Sequence, residues 1–130
     1  MKYFEKYGIM KEIKYENNGG REMSVREELD ALVSKINTNP EHIKDEKDRV
    51  FQIELEESGV LQILIAQGQI SVADGNPNEA HVTLKTSDKN FSKLLKDDLN
   101  TTMAFMMGGL KIDGNIGLAM KFQEIIKKYQ

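Results

Sequence analysis

The chain predicts an α+β fold: five strands in a mainly antiparallel sheet, with helices before and after them. Three observations carry that expectation. Apolar residues recur at helical spacing from Val25 to Ile36 and again from Leu118 to Tyr129. Between these segments the period switches to two, as in Val50-Phe51-Gln52-Ile53-Glu54-Leu55. Short turn signals then separate the apolar runs closely enough for an antiparallel meander. Helices, then strands, then helices is the order of an α+β domain.

The elements follow in order. Residues 1–22 are dominated by Lys, Glu and Tyr and end in a loop signal, Asn17-Asn18-Gly19-Gly20. Ser24-Val25-Arg26-Glu27 reads as a capping box, so the first firm helix begins just after Met23. Two origins fit residues 1–22. They are a native extension, or they precede a natural start at Met23, since Gly19-Gly20-Arg21-Glu22 matches codons of a purine-rich ribosome-binding sequence. The domain itself is expected over 23–130.

Asn37 to Pro40 closes the first helix, and Pro40 is placed to open a short second one through about Asp48. Strands are expected at Val50–Leu55, Val60–Ile65, Gln69–Ala73 and Ala80–Lys85. Glu57-Ser58-Gly59, Gln67-Gly68 and Asp74 to Asn78 provide the turns between them. Ser87 caps a helix whose buried face is Phe91, Leu94, Leu95 and Leu99. Asn100 or Thr101 caps a short helix through Met107, which Gly108-Gly109 ends. Leu110 to Asp113 is the fifth strand. Gly114 to Gly117 reads as a turn before the last amphipathic helix, where Lys127 and Lys128 complement the helix dipole.

Composition excludes several functions. The chain has 130 residues, the size of one domain, and can bury roughly two-thirds of its unfolded surface. Its net charge is −3, from 18 Lys+Arg against 21 Asp+Glu, which leaves no electrostatic footprint for nucleic acid. It has no cysteine, so disulfides and thiol nucleophiles are out, and a reducing cytoplasm suits it. No apolar run approaches the ~20 residues of a membrane span, and no secretory h-region forms near the N-terminus.

Chemistry is scarce. His42 and His81 share no metal-ligand spacing and read as surface residues, with His81 on the polar face of its strand. No metal or cofactor is implied. Asp45, Glu46, Asp48, Asp97 and Asp98 read as solvated helix faces. Gly109 to Gly114 has G-x-x-x-x-G spacing, but Asn115-Ile116 stands where a phosphate loop needs Lys and Ser/Thr. No G-x-S-x-G elbow is present. What remains is an oily stretch from Met103 to Gln123. Methionine is flexible and polarizable, so such a segment forms either ordinary core or the wall of an adaptable apolar cavity.

Within that stretch, Phe105 to Lys121 closely resembles the C-terminal signature of the sterol carrier protein two family. The signature is two aromatics, a polar residue, G-K-L-K, two variable residues, then G-N-M-G-L-A-M-K. Leu110-Lys111-Ile112, Gly114-Asn115 and Gly117 to Lys121 follow it. The element order extends the likeness more loosely back to Ser24. The resemblance implies a five-stranded sheet covered on one face by helices, with an apolar tunnel between. It also implies a non-covalent carrier of sterols, fatty acids, acyl chains or phospholipids rather than an enzyme. A lipid or fatty acyl ligand is then the partner, and transient membrane contact and oligomerisation stay open.

On that basis the expected lining is Phe51, Ile53, Leu61, Ile63, Leu95, Leu99, Met103, Phe105, Met106, Ile112, Ile116 and Met120. Phe122, Ile125 and Ile126 of the last helix form its lid or wall. Phe105 matches one family aromatic, and Met106 replaces the other. Met107 stands where a polar residue is common, and Gly109 replaces a lysine. These departures remove a headgroup hydrogen bond and a positive charge, and so favour simple acyl chains. Lys111 and Lys121 match family lysines and are expected to be structural or membrane-facing. The ending Lys128-Tyr129-Gln130 differs from the peroxisomal ending of some eukaryotic members, which points to a prokaryotic cytoplasmic setting.

Two other functions fit the same residues. One is a ligand-free interaction or dimerisation module of the same fold, a domain type that occurs appended to larger enzymes. The other is a small hydrolase or isomerase acting on a lipid ester or steroid. The latter needs a buried acid or histidine, for which Asp113 is the candidate.

Overall fold

In the computed structural model, which describes residues 14–16 and 22–130, a short hairpin precedes the main body. β1 (Lys14–Glu16) pairs antiparallel with β2 (Glu22–Ser24), with Tyr15 opposite Met23. The loop expected at Asn17 to Gly20 lies outside the described residues. Ser24 then forms the expected capping box. Its hydroxyl accepts from Glu27 N–H at 3.1 Å, and Glu27 accepts from Ser24 N–H at 2.8 Å. Such a cap is worth about 1 kcal/mol. It starts α1 (Val25–Thr38), which buries Val25, Leu29 and Ile36.

Pro40 opens less than expected. A single 3₁₀ turn, Pro40–His42, forms, and turns follow instead of a helix to Asp48. The stretch offers only Ile43 as a buried apolar anchor, too few to hold an amphipathic helix down. Asp45 therefore lies in a turn, and Glu46 and Asp48 in the loop after it, rather than on a helix face. Glu46 meets Lys121 at 3.2 Å, and Asp48 accepts from Gln67 N–H.

The main sheet has the order β5-β4-β3-β6-β7. β3 (Arg49–Leu55), β4 (Gly59–Ala66) and β5 (Gln69–Asp74) form the antiparallel meander. β6 (Val82–Thr86) pairs parallel with β3, and β7 (Leu110–Gly114) pairs antiparallel with β6. The fourth strand starts two residues later than expected, and His81 lies just before it. Its ring accepts from Val50 N–H at 3.0 Å.

Because β6 joins β3 from the far side of the meander, residues 75–81 must cross the sheet. Gln62 pins them. Its fully buried amide donates to Asn78 C=O at 2.7 Å and accepts from Asn78 N–H at 3.1 Å. A buried amide left unpaired would be costly, so this crossing is held in place.

Register sets the two faces of the sheet. Phe51, Ile53 and Leu55 of β3 share a face with Leu61 and Ile63 of β4, Leu84 of β6, and Leu110 and Ile112 of β7. All are buried except Ile112, which is half-buried. Four helices cover this face: α1, α2 (Asp88–Leu95), α3 (Thr101–Met106) and α4 (Ile116–Lys127). α2 ends at Leu95, so Leu99 lies in the following loop. Asp97 there takes φ 55° rather than continuing a helical surface.

Candidate functional site

The expected lining residues divide into two groups. Phe51, Ile53, Leu61, Ile63 and Leu95 lie inside the core. Phe51, Ile53 and Ile63 have 0% exposure, so nothing the size of a water can touch them in the ligand-free chain. The rings of Phe51 and Phe122 fill the space between sheet and α4. Ile125 and Ile126 belong to the same buried cluster. Leu99 and Ile112 are half-buried against that core, and Met120 is half-buried on α4.

The second group is exposed. Met103 (52%), Phe105 (42%), Met106 (76%) and Ile116 (50%) reach solvent, together with Met107 (77%). The local sequence explains this placement. Asn100 caps α3 by accepting from Met103 N–H at 3.0 Å, and Gly108 (φ 84°) ends it. A helix of six residues has one buried position, Thr101, whose hydroxyl donates to Gln123 of α4. Its apolar side chains outnumber the inward positions available to them. α3 then leads straight into β7. The Gly109 carbonyl is anchored there by Thr86 Oγ1 at 2.7 Å and Asn90 Nδ2 at 3.3 Å.

The turn into α4 is shorter than expected. Gly114 alone takes a left-handed backbone, φ 98°, and a Cβ there would sit 2.9 Å from His81 O. Asn115 is already the N-cap, accepting from Leu118 N–H, and Gly117 lies within the first helical turn rather than in the turn before it. Ile116, the first helical residue, is thereby left exposed beside the end of β7.

On the opposite face of the sheet lies a half-open cleft of about 350 Å³, lined by Glu54, Val60, Lys85, Lys111 and the Gly108-Gly109 backbone among others. Lys85 sits 3.2 Å from Asp113 and 3.9 Å from Glu54. Asp113 raises the Lys85 pKa by hydrogen bond and charge, and Glu54 adds to it. Asp113 is thus exposed and ion-paired, without the burial an acid–base catalyst needs. Lys121 bridges α4 to Glu46, while Lys111 is exposed. Among the described residues no cluster of His, Cys, Asp and Glu could hold a metal. No helix among them is long and apolar enough to cross a membrane.

Among the described residues the buried acid is Asp88, which the sequence disguised as a first-turn residue beside the Ser87 cap. Its carboxylate accepts from Glu57 N–H at 3.1 Å, Ser58 N–H at 3.2 Å and the Ser58 hydroxyl. Every partner belongs to the β3–β4 turn, so Asp88 fastens that turn to α2.

Comparison with known proteins agrees with this architecture. A model described as the SCP-2 sterol transfer family matches residues 27–127. Hydroxysteroid dehydrogenase-like protein 2 of Xenopus tropicalis is 36% identical over 77 residues, 58% of this chain and 18% of the relative. Sterol carrier protein 2 of Homo sapiens is 38% identical over 61 residues, 47% of this chain and 11% of the relative. The chain thus spans under a fifth of the length of these two. Among solved structures, sterol carrier protein 2 from Yarrowia lipolytica in its apo form superposes with a TM-score of 0.58 at 25% identity, covering 78% of this chain and 88% of that one. Palmitated SCP2L2 from Aedes aegypti gives 0.61 at 23% identity, covering 80% and 95%.

Proposed function

Because the chain belongs to the SCP-2 sterol transfer family, we propose that it binds lipids non-covalently between its sheet and helices and carries them. The observation that supports this most directly is the arrangement of apolar residues at α3. The exposed side chains Met103, Phe105 and Met106 lie on α3 and Ile116 at the start of α4, the two elements that flank β7 and its half-buried Ile112 in the chain. Inward of them lies the apolar layer of Phe51, Ile53, Leu61, Ile63 and Leu95. The first set forms the mouth, and the second set contacts the alkyl chain.

Entry requires repacking, since the layer is closed without ligand. α3 is the covering helix with least to lose by moving. It buries one residue and ends in Gly108-Gly109. Methionine walls accept varied shapes at little strain, so specificity is broad. Affinity comes from burying alkyl surface, at roughly 0.8 kcal/mol per CH₂. Among the described residues no positive side chain belongs to the mouth itself, and Gly109 adds none, so simple acyl chains are the preferred cargo. The chain acts without chemistry of its own. The dehydrogenase-like relatives are several times longer, and their printed activity is said of those whole proteins. The lipid-binding unit is residues 23–130, its setting is the cytoplasm, and carriage implies transient contact with a bilayer.

The test is displacement of a fluorescent fatty acid by unlabelled fatty acids of increasing length. Affinity that rises with each added CH₂ supports an enclosed apolar site. Affinity independent of length, or no binding, sinks the proposal. An apolar dye that binds but that no lipid displaces would favour the interaction module.

A further inference from the structure

Among the described residues of the main sheet, Arg49 is the one cation on the helix-covered face. The strands carry two other cations, Lys85 and Lys111, and both line the cleft on the opposite face. Alternation along β3 puts Arg49 on the face of Phe51, Ile53 and Leu55. Register sets it opposite the buried Ile65 of β4. Arg49 is half-buried, and its Nη1 donates to the Asp48 carbonyl at 3.2 Å. Its Nε is buried without a hydrogen-bond partner, the one such side-chain nitrogen or oxygen among the described residues. The acids just before it in the chain are engaged elsewhere. Glu46 meets Lys121 at 3.2 Å, and Asp48 accepts from Gln67 N–H. Among the described residues Arg49 makes no ion pair.

We propose that Arg49 anchors the ligand's head: it binds the carboxylate of a free long-chain fatty acid whose alkyl chain runs along β3. The inference rests on the lipid-carrier reading above and names the end of the ligand which that reading leaves open.

The chemistry favours a carboxylate. A guanidinium presents its N–H groups as a rigid fork that a carboxylate matches with two hydrogen bonds. A buried N–H left unpaired is costly, and an ionised acceptor satisfies both the N–H and the charge. A neutral alcohol or ester offers no charge in return. Half-burial also suits a carboxylate, which stays partly in water while its chain is enclosed.

The geometry sets the chain. From Arg49 to Leu55 the strand rises about 20 Å at ~3.3 Å per residue, the length of an extended palmitate. Phe51 and Ile53 lie on the same face between these ends. Register places Leu55 level with Thr86 of β6 and Leu110 of β7, the end of β7 into which α3 leads. The carboxylate therefore lies at the Arg49 end of the apolar layer and the methyl end toward the methionines of α3.

The experiment is displacement of an uncharged fluorescent dye by palmitate and, separately, by hexadecanol, which has the same chain and no charge. The whole chain is compared with Arg49→Met, which keeps an apolar stem, and with Arg49→Lys, which keeps the charge without the fork. Far-UV circular dichroism is recorded on all three. The parent protein should bind palmitate about tenfold more tightly than hexadecanol. Arg49→Met should lose about tenfold in palmitate affinity, with hexadecanol unchanged, and Arg49→Lys should lose about threefold.

Equal affinity of the parent for the two ligands overturns the anchor and leaves the carrier reading standing. Arg49→Met that keeps the preference for palmitate overturns it too, since the carboxylate is then held elsewhere. An equal loss for both ligands assigns Arg49 to packing alone. If Arg49→Met does not fold, the parent's preference and the Arg49→Lys loss decide: absence of either overturns the anchor. Dye that neither ligand displaces from the parent overturns the carrier reading, and the anchor with it.

Discussion

The rings of Phe51 on β3 and Phe122 on α4 meet with centroids 5.0 Å apart and planes tilted by 34°. Both residues are buried, and their contact is one of those that join the sheet to the last helix. In the ligand-free chain an alkyl group has to displace this contact or slide beside it. Phe122→Ala should destabilise the fold by about 3 kcal/mol, as large-to-small core changes do. Urea unfolding measures it. Saturating palmitate should then raise the midpoint of the variant more than that of the parent, because the chain fills the space left. A loss under about 1 kcal/mol would mean α4 is held elsewhere.

Met106→Glu places a charge at the proposed mouth, on a side chain already mostly in water. Stability should change by less than about 0.5 kcal/mol, the usual range for surface substitutions. Binding of a fluorescent fatty acid should be abolished. Unchanged affinity would move the mouth away from α3.

Asp88→Ala removes the acceptor shared by Glu57 N–H, Ser58 N–H and the Ser58 hydroxyl. Hydrogen bonds to a charged acceptor are each worth up to about 3 kcal/mol, and the Asp88 carboxylate is fully buried. A loss of about 3 kcal/mol in urea unfolding is expected, with Asp88→Asn milder because its amide oxygen still accepts. Equal losses in both variants would show that the negative charge, rather than the hydrogen bonds, fastens the turn.

Gly114→Ala forces a left-handed residue to carry a Cβ 2.9 Å from His81 O, a backbone atom that cannot step aside cheaply. The expected loss is about 1–3 kcal/mol, with the turn between β7 and α4 displaced. Gly75→Ala is the control: it too has a left-handed backbone, φ 73°, but nothing within 4 Å of the added Cβ. Comparable thermal shifts for the two variants would leave no role for the His81 contact.

Much of this fold is legible in local sequence because its signals are local. The Ser24–Glu27 box, the alternation of Phe51, Ile53 and Leu55, and the Ser87 and Asn100 caps each involve residues within a few positions of one another. The parallel pairing of β6 with β3 is not of that kind. It depends on Gln62 holding Asn78 across the sheet, and nothing near either residue announces the other. Pro40 carried a valid start signal, but a start without a following apolar face does not continue into a helix. Gly117 was misread for the opposite reason. Two glycines close together look like one turn, yet only Gly114 has the left-handed backbone.

The site was legible in composition and not in placement. The oily run from Met103 to Met120 could be core or surface by pattern alone. Which residues face outward is decided by α3 being six residues long and seated at the edge of the sheet. Asp88 was hidden because an acid in the first turn of a helix already has a sufficient local reason to be there.

The central claim is that lipid occupies the apolar space between sheet and helices. Native mass spectrometry of freshly purified protein, followed by solvent extraction and lipid analysis, tests it most directly. A bound mass that resolves into fatty acid or phospholipid is the predicted result. A clean ligand-free mass that stays unchanged after incubation with fatty acids, phospholipids and sterols would contradict it, and would make the apolar layer a packed core.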